Sequence, residues 1–344
     1  MPPPPARPEG RTTIADVARE AGVSKATVSR FLNHRDTLLS PQIATRVEKA
    51  VQALGYMPSP MAQALKRGRS RLIGLVVADI ANPFSVAVLR GAEKAAQQAG
   101  YLVMLFNLGN ESEREREAIE ALAAYQVEGF ILNTLGADPH AADEVARHGK
   151  PAVLVDRKHA GMQADFVSLD NADAVRQGVS HLLAAGWREL LYVSEPVAGV
   201  SSRAERVAAF REFTRAQGVG GHVAEAAEGQ GEALQQALRE LRRGAGRRPV
   251  AVLASNALVT LRVSDAAAAL GWQFGRDLGF VGIDETEWAH LVGPGLSTIA
   301  QPTDDIGRIA ASCLIERLQG RDFPPRQILL AGRLLARGSS QRAP

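Results

Sequence analysis

Residues 12–33 read TTIADVAREAGVSKATVSRFLN, and the reading of this stretch decides what kind of protein the chain is. Thr13 can cap a helix, with Asp16 at the third helical position to favour its N-terminus. Ile14, Val17 and Ala18 recur at helical spacing. Gly22 ends that helix, because glycine tolerates the left-handed backbone that a tight turn demands. Ser24 caps a second helix, from Lys25 to about Leu32. Ser40-Pro41 opens a third, with Ile43, Val47, Ala50, Val51 and Leu54 on one face and Gly55 as its stop. Two short helices joined by a glycine turn and buttressed by a third form a helix-turn-helix.

The second helix of that motif enters the DNA major groove with its first residues toward the base edges. Lys25 can donate to guanine O6/N7, and Ala26 can touch a thymine methyl. Thr27 and Ser29 suit phosphate oxygens, and Arg30 can reach base or phosphate. Thr13, Ser24 and Asn33 complete the expected DNA-binding set. Charge agrees: residues 1–71 hold twelve Lys/Arg against five Asp/Glu, a balance of +7, so the rest of a chain of net charge +3 stands at 3 − 7 = −4. A basic head on an acidic body is the electrostatic footprint of nucleic-acid binding.

The body reads differently. Leu72–Ala78, Leu102–Phe106, Phe130–Asn133 and Ala152–Asp156 are short apolar runs, with helical patterns between them such as Val86–Ala99 and Glu113–Tyr125. The rhythm resumes with Leu190–Ser194, Val250–Ala254 and Phe280–Ile283, and Gln327–Ala336 is a last strand-like run. Alternation of this kind predicts doubly wound parallel sheets. About 270 residues suit two such subdomains, with a ligand crevice at the carboxyl ends of the strands. The strand ends carry Asp79, Asn82, Phe84, Asn133, Asp156, Arg157, Ser202, Arg203, Arg206, Asn256, Asp284 and Trp288: carboxylates and amides for hydroxyl groups, with two aromatic faces.

Several classes fall away. The single cysteine, Cys313, excludes a disulfide framework and a thiolate metal cluster. GxSxG, HExxH and P-loop motifs are absent, the seven histidines lack metal-ligand spacing, and Gly229-Gln230-Gly231 lacks a third glycine, so no catalytic residue, metal site or cofactor is expected. No apolar run approaches a membrane span. The leader MPPPPARPEG has no apolar core for a signal peptide, which points to the cytoplasm and away from an exported solute-binding protein of similar fold.

The stretch quoted above resembles the N-terminal signature of the lactose-repressor (LacI/GalR) family, and GYMPSPMAQALKRGRSRLIGLV (residues 55–76) is similar to the family's hinge. The resemblance runs from residue 12 to about 340. It implies a helix-turn-helix head and a periplasmic-binding-protein-like body of two parallel-sheet subdomains, with a late helix near Asp305–Leu318 returning to the first. The expected division is a disordered leader (1–11), a DNA-binding domain (12–58), a hinge helix and linker (59–71) and an effector-binding and dimerisation domain (72–344). Ser59-Pro60 can open the hinge helix, which is too short to persist alone in water. By resemblance Leu65 is the wedge that opens the central base step of the minor groove. Also by resemblance, Asp156, Ser202, Arg206, Asn256 and Asp284 fall on effector-contact positions. Ala257 departs from the family, which usually has an acidic residue there.

Arginines 157, 203 and 206 are more than a neutral sugar needs, and guanidinium pairs bidentately with carboxylates. VSEPVAGVSSRAERV, SNALVTL and GIDETEWAHLVGPGLSTIAQPTDDIG resemble the subgroup that answers 2-keto sugar acids. The expected effector is therefore a sugar acid such as 2-ketogluconate, with its carboxylate on Arg206 or Arg203; a purine or a neutral sugar is the alternative. Leucine heptads of the kind that make tetramers are not seen, so the expectation is a homodimer on a pseudopalindromic double-stranded DNA operator.

Overall fold

The computed structural model describes residues 12–33, 39–57, 69–136, 138 and 140–342, with the backbone alone for Asn33. The leader and the hinge residue Leu65 lie outside these. The chain divides into two compact units, residues 1–70 and 71–344.

The first unit holds α1 (Ile14–Glu20), α2 (Lys25–Asn33) and α3 (Pro41–Ala53). Its caps are those the local sequence dictates. The Asp16 carboxylate reaches back to accept from the Thr13 backbone N–H at 3.0 Å and from its hydroxyl at 2.6 Å. Gly22 takes φ +62° and lets the Val23 N–H close on the Ala18 carbonyl at 2.9 Å. The Ser24 hydroxyl then accepts from the Thr27 N–H at 3.1 Å, which starts α2. Each helix commits one fully buried valine to a common centre, Val17, Val28 and Val47, with Ala18, Ala21, Phe31 and Ala50 around them. A cluster of this size holds three short helices that would not persist singly.

The second unit contains two six-stranded sheets of matching design. The first subdomain comprises β1 (Leu72–Val77), α4 (Pro83–Gln98), β2 (Leu102–Asn107), α5 (Arg114–Ala124), β3 (Gly129–Asn133), α6 (Ala141–Arg147), β4 (Ala152–Val155) and β5 (Asp165–Leu169). The second comprises α7 (Asn171–Ala184), β6 (Glu189–Ser194), α8 (Ser201–Ala216), β7 (Gly220–Glu225), α9 (Gly231–Ala245), β8 (Val250–Ala254), α10 (Ala257–Ala269), β9 (Gly279–Ile283) and β10 (Ser297–Ala300). The chain then returns through α11 (Thr303–Leu318) and ends in β11 (Gln327–Leu330) and β12 (Arg333–Leu335). Strand orders are β2-β1-β3-β4-β5-β11 and β7-β6-β8-β9-β10-β12, so the backbone crosses between subdomains three times along one side.

The late helix returns to the first subdomain as the resemblance implied. There α11 crosses α4 at backbone contact: a Cβ on Gly307 would lie 2.0 Å from the Val88 carbonyl oxygen, and one on Gly91 would lie 2.1 Å from that of Asp304. The two helices cover one face of the sheet, and α5 and α6 cover the other. In the second subdomain α9 and α10 take one face, and α7 and α8 the other.

Three strands escaped the sequence reading. β5 and β10 are buried along most or all of their length but carry Asp165, Ser168, Ser297 and Thr298, which break the apolar run. β7 is an edge strand whose residues are only partly covered. The run Gln327–Ala336 is not one strand but two. β11 pairs parallel with β5 in the first sheet, and β12 pairs antiparallel with β10 in the second. The break falls at Gly332, where a Cβ would meet Ile299 at 2.7 Å.

Candidate DNA-reading head and effector cleft

In the head, Lys25, Ala26 and Arg30 are exposed on α2, and Thr27 and Ser29 are half-buried beside the motif's core. Ala26 and Arg30 are one helical turn apart, so a side chain that only packs and one that reaches share a face. The Thr27 hydroxyl lies 2.9 Å from that of Ser24, which ties both to the start of the helix. Thr13 is exposed at the start of α1.

In the body, the strand order of the first sheet reverses between β1 and β3, and ligands in open α/β sheets bind outside the strand ends at such a reversal. A narrow cleft lies there, lined by Asp79, Asn82, Phe84, Ser85, Asn110 and Asn133 from the first subdomain with Arg157, and by Glu195, Arg203 and Leu258 from the second. Phe84, Asn133, Arg157 and Arg203 of the expected effector set thus line the cleft wall. Asn133 is buried, donating to the Val155 carbonyl at 3.2 Å and accepting from the Ser85 hydroxyl at 3.3 Å.

The remaining expected residues form a layer joining the two subdomains. Asp156 and Asp284 occupy equivalent places, directly after β4 and β9. Each N–H bonds to the neighbouring strand, Asp156 to Val167 and Asp284 to Ile299, both at 3.0 Å. Both sit in the left-handed region, at φ +65° and +84°, conformations that non-glycine residues keep only where their surroundings impose them. Asp156 Oδ2 accepts from the Ser202 hydroxyl of the other subdomain at 3.1 Å, and its Oδ1 lies 3.7 Å from Arg206. Asp284 accepts from the Ala257 N–H at 3.1 Å and from Gln301 at 2.6 Å. Burial pushes the Asp284 carboxyl up, against the opposing pull of Arg206 and these hydrogen bonds. Where the family's acidic residue is replaced, Ala257 is buried at the start of α10, and its backbone N–H is what meets Asp284.

Asn256 caps α10 by accepting from Val259 N–H at 2.9 Å and turns its amide to Glu195 at 2.7 Å. Trp288 is half-buried against the core of the second subdomain rather than on the cleft wall. Glu195 was not singled out from sequence. It ties together Arg203 at 2.7 Å, Asn256 at 2.7 Å and Arg262 at 3.8 Å. Its position directly after β6 was the available signal. Asn171 was also missed; it accepts from Arg206 Nε at 2.7 Å, and its place at the crossing from β5 to α7 becomes visible only in three dimensions.

A helix-turn-helix with an exposed reading helix, followed by a two-subdomain body with a polar interlobe cleft, defines a one-chain DNA-binding regulator with a small-molecule site. Comparison with known proteins agrees. Residues 13–59 match the family model of bacterial regulatory proteins of the lacI family, and residues 179–340 match that of the periplasmic binding protein-like domain. The chain is 46% identical to the HTH-type transcriptional regulator PtxS of Pseudomonas plecoglossicida over 96% of each chain. It is 40% identical to the regulator KdgR of Bacillus subtilis, covering 96% of this chain and 98% of that one. The lac repressor dimer bound to operator and the anti-inducer ONPF superposes with a TM-score of 0.84 at 26% identity, over 96% of this chain and all of that one. The chain belongs to the LacI family of bacterial transcriptional regulators, and it is a regulator rather than an enzyme. Among the described residues no helix is long and apolar enough to cross a membrane.

Proposed function

We propose that this regulator is a cytoplasmic homodimeric repressor whose operator affinity is lowered by a six-carbon keto sugar acid, of which 2-ketogluconate is the type, bound between the subdomains. The observation that carries the reading is the concentration of cations at the cleft. Arg157 and Arg203 line the cleft together with Asp79 and Glu195, and Arg206 and Arg262 lie close by, within ion-pair distance of Asp156 and Glu195. A guanidinium here can pair bidentately with a ligand carboxylate, a contact that a neutral sugar cannot offer. Asp79, Asn82, Asn110 and Asn133 supply donors and acceptors for hydroxyl groups, and Phe84 offers an apolar face for C–H groups.

Dimerisation has support in apolar side chains left exposed on the first subdomain, Val86 on α4 and Leu102 and Leu105 on the edge strand β2. A two-fold dimer suits a pseudopalindromic operator, with Lys25, Ala26 and Arg30 toward the bases and Leu65 as the hinge wedge. The effector acts by binding one arrangement of the subdomains better than the other, since only differential affinity shifts an equilibrium. Calorimetry of the purified protein against 2-ketogluconate, neutral hexoses and purines, paired with operator binding in the presence of each, tests the reading. Heat from the keto acid together with loss of operator affinity is expected. Tight binding of a purine or a neutral sugar with no response to keto acids overturns the ligand and leaves the family unaffected.

A further inference from the structure

The fold treats Arg157, Arg203 and Arg206 unequally. Arg206 commits Nε to the Asn171 side-chain oxygen and Nη1 to the Ser255 carbonyl, each at 2.7 Å. Arg203 commits Nη1 to the Pro196 carbonyl at 2.8 Å and Nη2 to the Glu195 carboxylate at 2.7 Å. Each of these guanidinium groups makes two hydrogen bonds that tie α8 to the strand ends. Arg157 makes one. It commits Nη1 alone, to the Thr134 carbonyl at 3.0 Å. Its buried Nε lies 3.3 Å from Asp156 Oδ2 without hydrogen-bond alignment, and among the described residues Nη2 makes no hydrogen bond. With Nε turned to Asp156, Nη2 and the second N–H of Nη1 are the donors left for a ligand carboxylate. Burial and the neighbouring Arg203 and Arg206 all work against the charge on Arg157, and Asp156 leads the groups that favour it.

Behind Arg157 lies a buried polar chain that the effector reading leaves unused. The Thr134 hydroxyl is 2.9 Å from His159 Nε2, and the same Nε2 lies 2.6 Å from Glu115 Oε1 on α5 without hydrogen-bond alignment. Glu115 is wholly buried and His159 is 6% exposed. A carboxylate buried this deeply is costly unless its partner is fixed. The group facing it is His159, which also meets Thr134, the residue whose carbonyl holds Arg157.

We propose that Arg157 reads the carboxylate of the effector, and that Glu115, His159 and Thr134 are positioning residues that hold its guanidinium at the cleft. The assignment rests on the sugar-acid reading above and names the residue that gives it selectivity for an acid.

The test is calorimetry of the full-length chain with 2-ketogluconate and with fructose, the same six-carbon framework bearing a hydroxymethyl group in place of the carboxylate. Arg157→Gln lowers affinity for the acid by about ten- to a hundredfold and removes the preference over fructose, the range expected for charge-assisted hydrogen bonds. Arg157→Lys keeps the charge without the fork and falls between Arg157→Gln and wild type. Thr134→Val removes the hydroxyl at nearly constant shape and lowers acid affinity several-fold, while Thr134→Ser restores it; a residue that merely packs would not be rescued in this way. If both Arg157 variants bind the acid within twofold of wild type while Arg203→Gln loses it, Arg157 is the wrong arginine and the sugar-acid reading stands. If the wild-type protein gives no heat with 2-ketogluconate, that reading and this assignment fall together.

Discussion

Asp165 opens β5 with a side chain that is fully buried, and it is bound from two directions. Arg317 of α11 donates Nε at 3.1 Å and Nη2 at 3.0 Å; Arg326, ahead of β11, donates its backbone N–H at 2.8 Å, Nε at 3.2 Å and Nη2 at 3.0 Å. One carboxylate therefore pins the returning helix and the last strand of the first sheet. These bonds hold its pKa at about 2 against the upward push of burial, where an unfolded aspartate titrates near 3.8. A group whose folded pKa is depressed stabilises the fold above its unfolded value and loses that contribution as pH falls through the folded one. The difference is worth about 2.5 kcal/mol at pH 7 and about 1.3 kcal/mol at pH 3. Asp165→Asn removes the charge and turns an amide N–H₂ toward guanidinium donors, so the loss should reach the roughly 3–5 kcal/mol of a broken buried pair. At about 2 °C per kcal/mol for a body of this size, melting falls by about 6–10 °C at neutral pH. Calorimetric melting of wild type and Asp165→Asn at pH 7, and urea midpoints at pH 4 and pH 3, measure both statements. A drop below about 2 °C at pH 7, or a stability gap that does not narrow from pH 4 to pH 3, refutes the argument.

Two further outcomes follow from the same structure and sequence. Gly307→Ala drives a Cβ into the Val88 carbonyl, where neither backbone can yield, and should cost about 3 kcal/mol in urea unfolding; a neutral effect would mean that the α4–α11 crossing is looser than described. Leu65→Ala should leave melting and effector heats unchanged while weakening operator binding and lowering the bend angle measured by gel phasing or fluorescence transfer; an unaltered bend would make the hinge a tether only.

What was legible in the chain follows the range of the forces involved. The head could be read because its determinants are local: the Thr13–Asp16 box, Gly22 at positive φ and the Ser24 cap each act within four residues, and the apolar stripes of three short helices leave one way to close. β1, β3, β6, β8 and β9 could be read because strands covered on both faces become uninterrupted apolar runs. β5 and β10 could not, since their polar residues are matched by partners far along the chain. Asp165 meets Arg317 and Arg326, and Ser297 meets Ser339 and Ser340. The same distinction governs the site. Strand-end position, with the family resemblance for Asp156, Arg206, Asn256 and Asp284, marked these four and Arg157 and Arg203 as candidates. Only the tertiary structure decided which of them line the cleft, paired Asp156 with Asp284 in equivalent strained positions, and brought Glu195 to Arg203 and Asn256. It alone showed two hydrogen bonds from each of Arg203 and Arg206 to protein groups and one from Arg157. A guanidinium's availability depends on every acceptor within about 3 Å, and those acceptors come from segments up to dozens of residues apart that meet only when the two sheets are folded against each other.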